Sequence, residues 1–349
     1  MVVLYVTSVE AAGKTALCAG IGRKLLGQGK KVGYFKPVQL SEAGDDGSKD
    51  VAFVKEALGL TESVDVLCPL HLSRKELRRC LTDEEADFAR GLKRAYAKVS
   101  KGKDVVLIEG LGELGEDKVA TLACYSIAEA LEAKVVVVLR YSPFLDTGEI
   151  TKVGKKLGQR LLGVIINFVP ESSMETARLH FAESFKKAGV KVLGVIPEVR
   201  SLLGVSVKDL ADVLKGEIVA CEENAEGTVE NIMLGAMTPE SGVDYFRRKA
   251  NKAAIVRSDR ADMQLAALET STRCLVLTGD AKPLQAVVIQ AEDKRVPMVL
   301  VKQGIAETVA GVEKVLAKAS FDTPQKLKKF EGVLEKSLDI KALFSELGL

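Results

Sequence analysis

Gly13, Lys14 and Thr15 follow one another near the start of the sequence, within the stretch TSVEAAGKTAL. This stretch comes after the apolar run MVVLYV and leads into a helical pattern. Backbone amides of a tight loop and of a helix N-terminus attract phosphate oxygens, a lysine adds positive charge, and a threonine hydroxyl can bind magnesium. The pattern therefore predicts a phosphate-binding loop with Gly13, Lys14, Thr15 and Ala16 as contacts, although Ser8 replaces the usual first glycine.

Glu109 is the candidate acidic partner of a magnesium ion. It ends the apolar run DVVLIE and precedes GLGEL, in which Gly110 and Gly112 would let the backbone approach a triphosphate. In open parallel sheets, such acidic groups tend to lie at the carboxyl ends of strands. An exposed strand-end carboxylate is the alternative, and the predicted phosphate loop favours the metal-linked role.

Two more charged residues have candidate roles near this position. Lys36 follows the run KVGYF directly and could hold a γ-phosphate or an anionic substrate, with Pro37 stiffening the chain after it. A lysine after a strand is more often simply solvated. Asp50 begins a helical stretch, where a charge that complements the helix start is the ordinary explanation.

Short β-branched runs alternate with helical stretches over the first two hundred residues. Continuous apolar strands separated by helices are typical of a parallel sheet that is covered on both faces. The sequence therefore predicts an α/β fold with a doubly wound, mostly parallel sheet. The runs are VVLYV (2–6), KVGYF (31–35), DVVLIE (104–109), KVVVVL (134–139), GVIINF (163–168) and KVLGVI (191–196).

The pattern changes at about residues 203–230, where an acidic, glycine-containing stretch follows a short helix and strand. Beyond it, the runs AAIVR, RCLVLTG and VPMVLV predict a second, smaller α/β domain. We expect a nucleotide-binding domain over 1–205, the second domain over 206–320 and a helical tail over 321–349. The charged tail could be a solvated helix pair or a docking arm.

Charge and composition narrow the classes of partner. Fifty lysines and arginines are balanced by 48 aspartates and glutamates in 349 residues, so no field of one sign favours nucleic acid. Six scattered cysteines and two histidines indicate neither a zinc site nor a disulfide framework. No apolar run approaches the ~20 residues that cross a bilayer, and no signal-peptide pattern is present. We expect a cytoplasmic protein with small-molecule partners.

Four segments taken together, TSVEAAGKT, FKPVQ, SKDVAF and VVLIEGLGE, resemble the dethiobiotin synthetase branch of P-loop proteins. The resemblance implies an ATP site in which Lys14 and Thr15 serve the phosphates and the metal. It also implies that Asp50 and Glu109 complete the magnesium shell and that Lys36 faces the reacting group. ATP and Mg²⁺ are therefore the expected cofactors.

The same resemblance extends to two later positions and covers about 200 residues. It implies that the amide of Asn167, in GVIINFVP, reads adenine. It also implies that Pro197, in GVIPE, belongs to the loop that follows in that family.

The chain departs from the dethiobiotin synthetase pattern at positions near the substrate. Thr7, Val9 and Glu10 replace the glycine, aspartate and second threonine of the family loop. Leu40 stands at the family's serine position, and Ser41 comes one place late. Groups that would hold the diamine substrate therefore differ, which favours ATP binding over dethiobiotin synthesis.

Four later segments look like the DRTGG domain, a regulatory α/β module. That domain follows a dethiobiotin-synthetase-like domain in the non-catalytic N-terminal part of long phosphate acetyltransferases. The resemblance implies that this chain corresponds to the regulatory half, without the acetyltransferase domain. The segments are GAMTPESGVDYF (235–246), IVRSDRADMQLAAL (255–268), LVLTGD (275–280) and RVPMVLV (295–301).

Charged residues at the start of a helix are the candidate site of the second domain. Asp259, Arg260 and Asp262 could bind an anion or pair across a dimer interface. A capped helix start with local ion pairs is the alternative. Thr278 and Gly279, after the next predicted strand, could add a small polar pocket.

The sequence is compatible with three functional hypotheses. The first is a homodimeric, magnesium-dependent ATP-binding protein with a regulatory or sensing role, with or without slow ATP hydrolysis. The second is an ATP-dependent ligase of the dethiobiotin or cobyrinate-amidation type, which would phosphorylate a small anionic substrate. The third is a subunit that allosterically controls a separate acetyltransferase.

Overall fold

The computed structural model describes residues 1–40, 48–82, 88–112, 114–115, 117–279, 281–317, 321 and 323–349. Ser41, Glu113 of VVLIEGLGE and Asp280 of LVLTGD lie outside the described residues. The chain forms two compact units. The first comprises Met1–Glu198 with Phe321–Leu349, and the second comprises Val199–Ser320.

A six-stranded parallel sheet is the centre of the first unit. The strands of this unit are β1 (Val2–Ser8), β2 (Val32–Phe35), β3 (Val38–Leu40), β4 (Leu70–Leu72), β5 (Val105–Glu109), β6 (Lys134–Arg140), β7 (Leu161–Val169) and β8 (Val192–Pro197). The sheet order is β2-β5-β1-β6-β7-β8, and every pairing is parallel. β3 and β4 form a separate parallel pair. The predicted doubly wound α/β sheet is confirmed.

Helices cover both faces of this sheet. All five residues of β5 are buried, and because successive side chains of a strand point to opposite faces, both faces must be covered. Of the helices in the described residues, none is both long and apolar enough to cross a membrane. The helices before the second unit are α1 (Lys14–Gly27), α2 (Ser48–Leu58), α3 (Val64–Leu67), α4 (Arg74–Thr82), α5 (Phe88–Ser100), α6 (Lys118–Ala130), α7 (Thr147–Leu157) and α8 (Met174–Lys187).

The carboxyl edge of the sheet gathers the predicted site residues. Because all six strands are parallel, Ser8, Glu109 and Asn167 lie at the same edge, as do Lys36 directly after β2 and Pro197 at the end of β8. β1 has β5 and β2 on one side and β6, β7 and β8 on the other. Ligands of open α/β sheets bind where the strand order reverses in this way. The loop after β1 lies at that position.

The second unit has its own five-stranded sheet. Its order is β10-β15-β14-β13-β12, parallel except for β10, and β9 pairs separately with β11. Separate apolar clusters pack around this sheet. The elements are β9 (Val205–Ser206), α9 (Val207–Leu214), β10 (Glu217–Ala220), β11 (Thr228–Val229), β12 (Asn231–Leu234), α10 (Pro239–Phe246), β13 (Lys252–Arg257), α11 (Ala261–Leu268), β14 (Thr272–Thr278), α12 (Gln285–Lys294), β15 (Met298–Val301) and α13 (Ile305–Ala317).

The C-terminal helices α14 (Pro324–Ser337) and α15 (Ile340–Leu347) belong to the first unit. Leu334 of α14 is fully buried against α1, where even one methyl group at Gly20 would overlap it. Ion pairs join Arg23 to Glu331 and Lys24 to Glu335 across the same two helices. The tail therefore packs on the helix that begins at Lys14.

Replacing Leu334 by alanine should destabilise the first unit by about 3 kcal/mol, because the cavity would lie between α14 and α1. Urea unfolding measures the change. Leu179→Ala on α8 is the matched control, since this leucine is 71% exposed and its truncation should change little. Equal effects of the two substitutions would show that α14 contributes no packing energy to α1.

Candidate functional site

The loop between β1 and α1 leaves the N-terminus of α1 open. Gly13 precedes the helix with φ of 81° and ψ of 34°, a left-handed conformation that favours glycine. The backbone N–H groups of Lys14, Thr15 and Ala16 lie in the first turn, where a helix offers them no acceptor. Among the described residues, no side chain caps this end and no acidic residue occupies its first turn. The end of α1 is therefore suited to an anion.

Lys14 is a half-buried cation whose ammonium group is bound by a hydroxyl group. Its Nζ donates to Ser8 Oγ at 2.8 Å, and Ser8 Oγ donates to the Glu10 carbonyl oxygen at 2.6 Å. Burial lowers the pKa of Lys14; the Glu109 carboxylate opposes this effect and the Lys36 ammonium adds to it. Within the described part of the chain, Lys14 forms no ion pair. A bound phosphate would supply the counter-charge.

Glu109 is the centre of the polar contacts at this edge. Thr15 Oγ1 donates to Glu109 Oε1 at 3.0 Å, and the Tyr34 hydroxyl donates to Glu109 Oε2 at 2.8 Å. Lys36 Nζ lies 3.3 Å from Glu109 Oε1 and 3.7 Å from Asp50 Oδ2. The Glu109 side chain is 3% exposed and that of Asp50 is 43% exposed. Side chains from α1 and from the end of β2 therefore meet at one buried carboxylate of β5.

The charge state of Lys36 follows from its two carboxylate neighbours. Burial lowers the pKa of Lys36, but Glu109 and Asp50 together outweigh burial, so the pKa lies above its ordinary value. Burial raises the pKa of Tyr34 well above its ordinary value, and the Glu109 charge adds to this effect. At neutral pH, Lys36 is therefore a cation and Tyr34 a neutral donor.

The oxygen groups at this edge fit a magnesium ion. Thr15, Glu109 and Asp50 offer one hydroxyl and two carboxylates, which are the hard ligands that magnesium prefers. In the described residues, no three His, Cys, Asp or Glu side chains are close enough to hold a metal by themselves. Magnesium is usually held by one or two carboxylates together with substrate phosphates, so two carboxylates and a hydroxyl beside the phosphate loop are a suitable set.

Asn167 and Pro197 lie on the other side of β1 from Glu109. The Asn167 Nδ2 donates to the Ala12 carbonyl oxygen at 2.9 Å, and the Phe168 backbone N–H donates to Asn167 Oδ1 at 2.9 Å. Pro197 ends β8 and pairs with Val169 on β7. Asn167 therefore holds the loop, and adenine contact by Asn167 or Pro197 stays a prediction.

The two glycines after Glu109 face different surroundings. A Cβ atom at Gly110 would lie 2.5 Å from the hydroxyl of buried Tyr5, so packing inside the unit requires this glycine. A Cβ atom at Gly112 would lie 3.5 Å from Lys14 Nζ. Gly112 is thus the glycine that faces the lysine, and a nucleotide contact at Gly110 stays a prediction.

Tyr34 and Arg140 contact the site, although no sequence motif marks either residue as a candidate. Tyr34 lies two residues before Lys36, and alternation along a strand places such residues on the same face, so a local signal was present. Arg140 Nη1 donates to the Ala11 carbonyl oxygen at 3.3 Å. No motif marks Arg140, because this contact depends on β6 lying beside β1.

The charged residues of the second unit are paired with their neighbours. Arg257 forms an ion pair with Asp259, and Arg260 Nη2 lies 2.8 Å from Asp262 Oδ2. The hydrogen bonds to Asp262 raise the pKa of Arg260, and those from Arg260 lower the pKa of Asp262. The alternative of local ion pairs at a helix start is thus what the structure contains, and an anion or dimer contact stays a prediction.

Thr278 and Gly279 lie at the carboxyl edge of the second sheet. Thr278 is 3% exposed, and its carbonyl oxygen accepts from the Ser258 backbone N–H at 2.9 Å. Gly279 has φ of 96°, which favours glycine. Thr278 and Gly279 lie at the end of β14, beside Ser258, as the sequence predicts. Binding of a ligand at this position stays a prediction.

Two protein families match successive parts of the chain. The AAA domain family matches residues 3–206, more than half of the chain, and the DRTGG domain family matches residues 209–315. This order confirms the expected architecture of a dethiobiotin-synthetase-like P-loop domain followed by a DRTGG domain.

Individual relatives agree with this division. The phosphate acetyltransferase of Pseudomonas aeruginosa is 26% identical over 285 residues, which cover 76% of this chain and 40% of that protein. The ATP-dependent dethiobiotin synthetase of Methanococcus vannielii is 28% identical over 205 residues, which cover 55% of this chain and 92% of that protein. A chain of the MinC:MinD cell division protein complex of Aquifex aeolicus overlaps with a TM-score of 0.39 at 18% identity, over 58% of this chain and 84% of that chain. This chain thus spans about 40% of the length of the Pseudomonas phosphate acetyltransferases that it matches.

Replacing Glu109 by glutamine should reduce the free energy of unfolding by about 3 kcal/mol, because the buried Lys36 cation loses its nearer carboxylate. Adding Lys36→Met should recover part of this loss, since it removes the buried cation whose remaining carboxylate partner is the more exposed Asp50. Urea unfolding of the two single variants and the double variant measures the coupling.

An exposed ion pair provides the control for this cycle. Glu183 and Lys187 lie 2.8 Å apart on α8 with side chains 72% and 76% exposed, and Glu183→Gln should change stability little. Additive losses from Glu109→Gln and Lys36→Met would contradict the coupling.

Proposed function

Since the chain belongs to the AAA domain family and is a P-loop ATP-binding protein with a DRTGG domain, we propose that it binds ATP with magnesium for a regulatory or sensing purpose. One observation carries the proposal. The half-buried Lys14 lies at the open N-terminus of α1, close to Thr15 and Glu109, and it forms no ion pair within the described residues. A polyphosphate anion satisfies all three features together.

Different residues around α1 bind the phosphates and the magnesium ion. The amides of residues 14–16 and the Lys14 ammonium bind the phosphate oxygens. Thr15, Glu109 and Asp50 hold the magnesium ion, which supplies positive charge against the phosphates. Lys36 provides a second cation at the same edge, beside Glu109.

The regulatory part of the proposal concerns both units. Bound nucleotide orders the loops near Lys14, Lys36 and Asp50, and the DRTGG domain reports that state, in a homodimer with slow or no ATP hydrolysis. A separate acetyltransferase is the proposed partner. The support is that the Pseudomonas aeruginosa relative is a phosphate acetyltransferase, of which this chain spans about 40%.

An ATP-dependent ligase is the second candidate function. The observation in its favour is Lys36, a buried cation at the carboxyl edge that could stabilise a phosphorylated anionic substrate. The similarity to the dethiobiotin synthetase of Methanococcus vannielii, over 92% of that protein, adds support. The side chain of Leu40, at the position of the family serine, argues against the same diamine substrate.

Isothermal titration with ATP and magnesium tests the proposed binding. Wild type should bind, and Lys14→Ala should bind at least about tenfold more weakly, because a charge-assisted contact to phosphate is lost. Lys187→Ala is the control, since this lysine is exposed on α8. Absence of binding by wild type, or undiminished binding by Lys14→Ala, would contradict the proposal.

The rate of ADP release distinguishes the regulatory function from the ligase function. We expect the rate of ADP release to be unchanged by 7,8-diaminopelargonate and bicarbonate, because the loop and Leu40 differ from the synthetase pattern. A coupled assay with and without these compounds measures the difference. Substrate-stimulated release that Lys36→Met abolishes would instead establish the ligase.

A further inference from the structure

Two consecutive carbonyl groups of the phosphate loop are bound by side chains from β6 and β7. Arg140 Nη1 donates to the Ala11 oxygen at 3.3 Å, and Asn167 Nδ2 donates to the Ala12 oxygen at 2.9 Å. Arg140 and Asn167 are direct partners in the register of these parallel strands. Both donors therefore approach the loop from the same side.

These hydrogen bonds determine where the loop amides point. The described chain has no cis peptide bond, and in a trans peptide the carbonyl and the following N–H point in opposite directions. The N–H groups of Ala12 and Gly13 must then point away from β6 and β7. Lys14 Nζ lies on that opposite side, near Gly112 after β5. The N–H groups of Ala12 and Gly13 therefore point to the side of the loop on which the Lys14 ammonium lies.

Phe168 is held in a strained conformation next to these donors. Its φ of 60° lies in the left-handed region, which is unfavourable for a bulky residue. The Phe168 backbone N–H donates to Asn167 Oδ1, and this hydrogen bond holds the conformation. A Cβ atom at Gly13 would lie 3.5 Å from the Phe168 ring, and the Arg140 guanidinium lies 4.5 Å from the ring centroid. The ring thus supports Arg140 beside the loop.

We propose that Arg140, Asn167 and Phe168 form a clamp that holds the phosphate loop with its amides directed inward. Arg140 is a positioning residue, since it acts on the phosphates through the Ala11 carbonyl group. Arg140 and Phe168 serve the phosphate chain rather than the base. This inference rests on the proposed function, because it concerns the same loop.

Binding of inorganic tripolyphosphate alongside ATP tests the clamp, because only ATP carries a base. Arg140→Gln should weaken both ligands by the same factor, about three- to tenfold, while the melting temperature stays close to that of wild type. Arg140→Lys keeps a cationic donor and should recover most of the affinity. Arg178→Gln, at an exposed arginine on α8, is the matched control.

Phe168→Gly provides an independent variant. Glycine relieves the left-handed strain, which offsets part of the packing lost with the half-buried ring, and loss of the ring should weaken both ligands as Arg140→Gln does. A purely structural role of the ring would leave the affinity of this variant unchanged.

The outcomes separate the clamp from the proposed function. If wild type binds neither tripolyphosphate nor ATP, the proposed function fails. If wild type binds both and Arg140→Gln and Phe168→Gly bind them equally well, only the clamp is wrong. Loss of affinity for ATP alone would also overturn the clamp, since it would indicate contact with the base.

Discussion

The first unit depends on one buried carboxylate. Glu109 is held by Thr15 from α1, by Tyr34 from β2 and by Lys36 directly after β2. A carboxylate buried without partners would cost several kcal/mol, so its partners must stay in place for the charge to be tolerated. These contacts therefore hold the start of α1 and the end of β2 in place relative to β5. The phosphate loop, which leads into α1, is held at that end.

Sequence was sufficient for the elements whose signals are local. Each predicted strand run of the first unit corresponds to a strand of the sheet, because β-branched runs buried on both faces have a strong pattern. The edge strands β10 and β12 had weaker signals, since both are short and only partly buried. Lys36, Asp50 and Glu109 come together as the parallel edge implied. The contact of Arg140 with Ala11 was beyond local patterns, because residues 129 positions apart meet only through the sheet order.

The charged residues at the start of α11 differ from Lys14 at the start of α1. In the second unit, Arg260 lies against Asp262 and Arg257 against Asp259, so these charges are already neutralised. An anion would have to displace a carboxylate two residues away in sequence, and exposed pairs of this kind contribute little to stability. Lys14 at the start of α1 forms no ion pair within the described residues, which favours this helix start over that of α11 as the phosphate site.

Burial also ranks the two carboxylates that Lys36 contacts. Glu109 lies closer to the ammonium than Asp50, at 3.3 Å against 3.7 Å, and its side chain is 3% rather than 43% exposed. Water and salt screen the interaction with Asp50 more strongly, so Glu109 dominates the position of Lys36. Movement of Glu109 would disturb Thr15, Tyr34 and Lys36 at once. Of the two carboxylates, the buried glutamate on β5 is accordingly the one whose position the fold fixes more firmly.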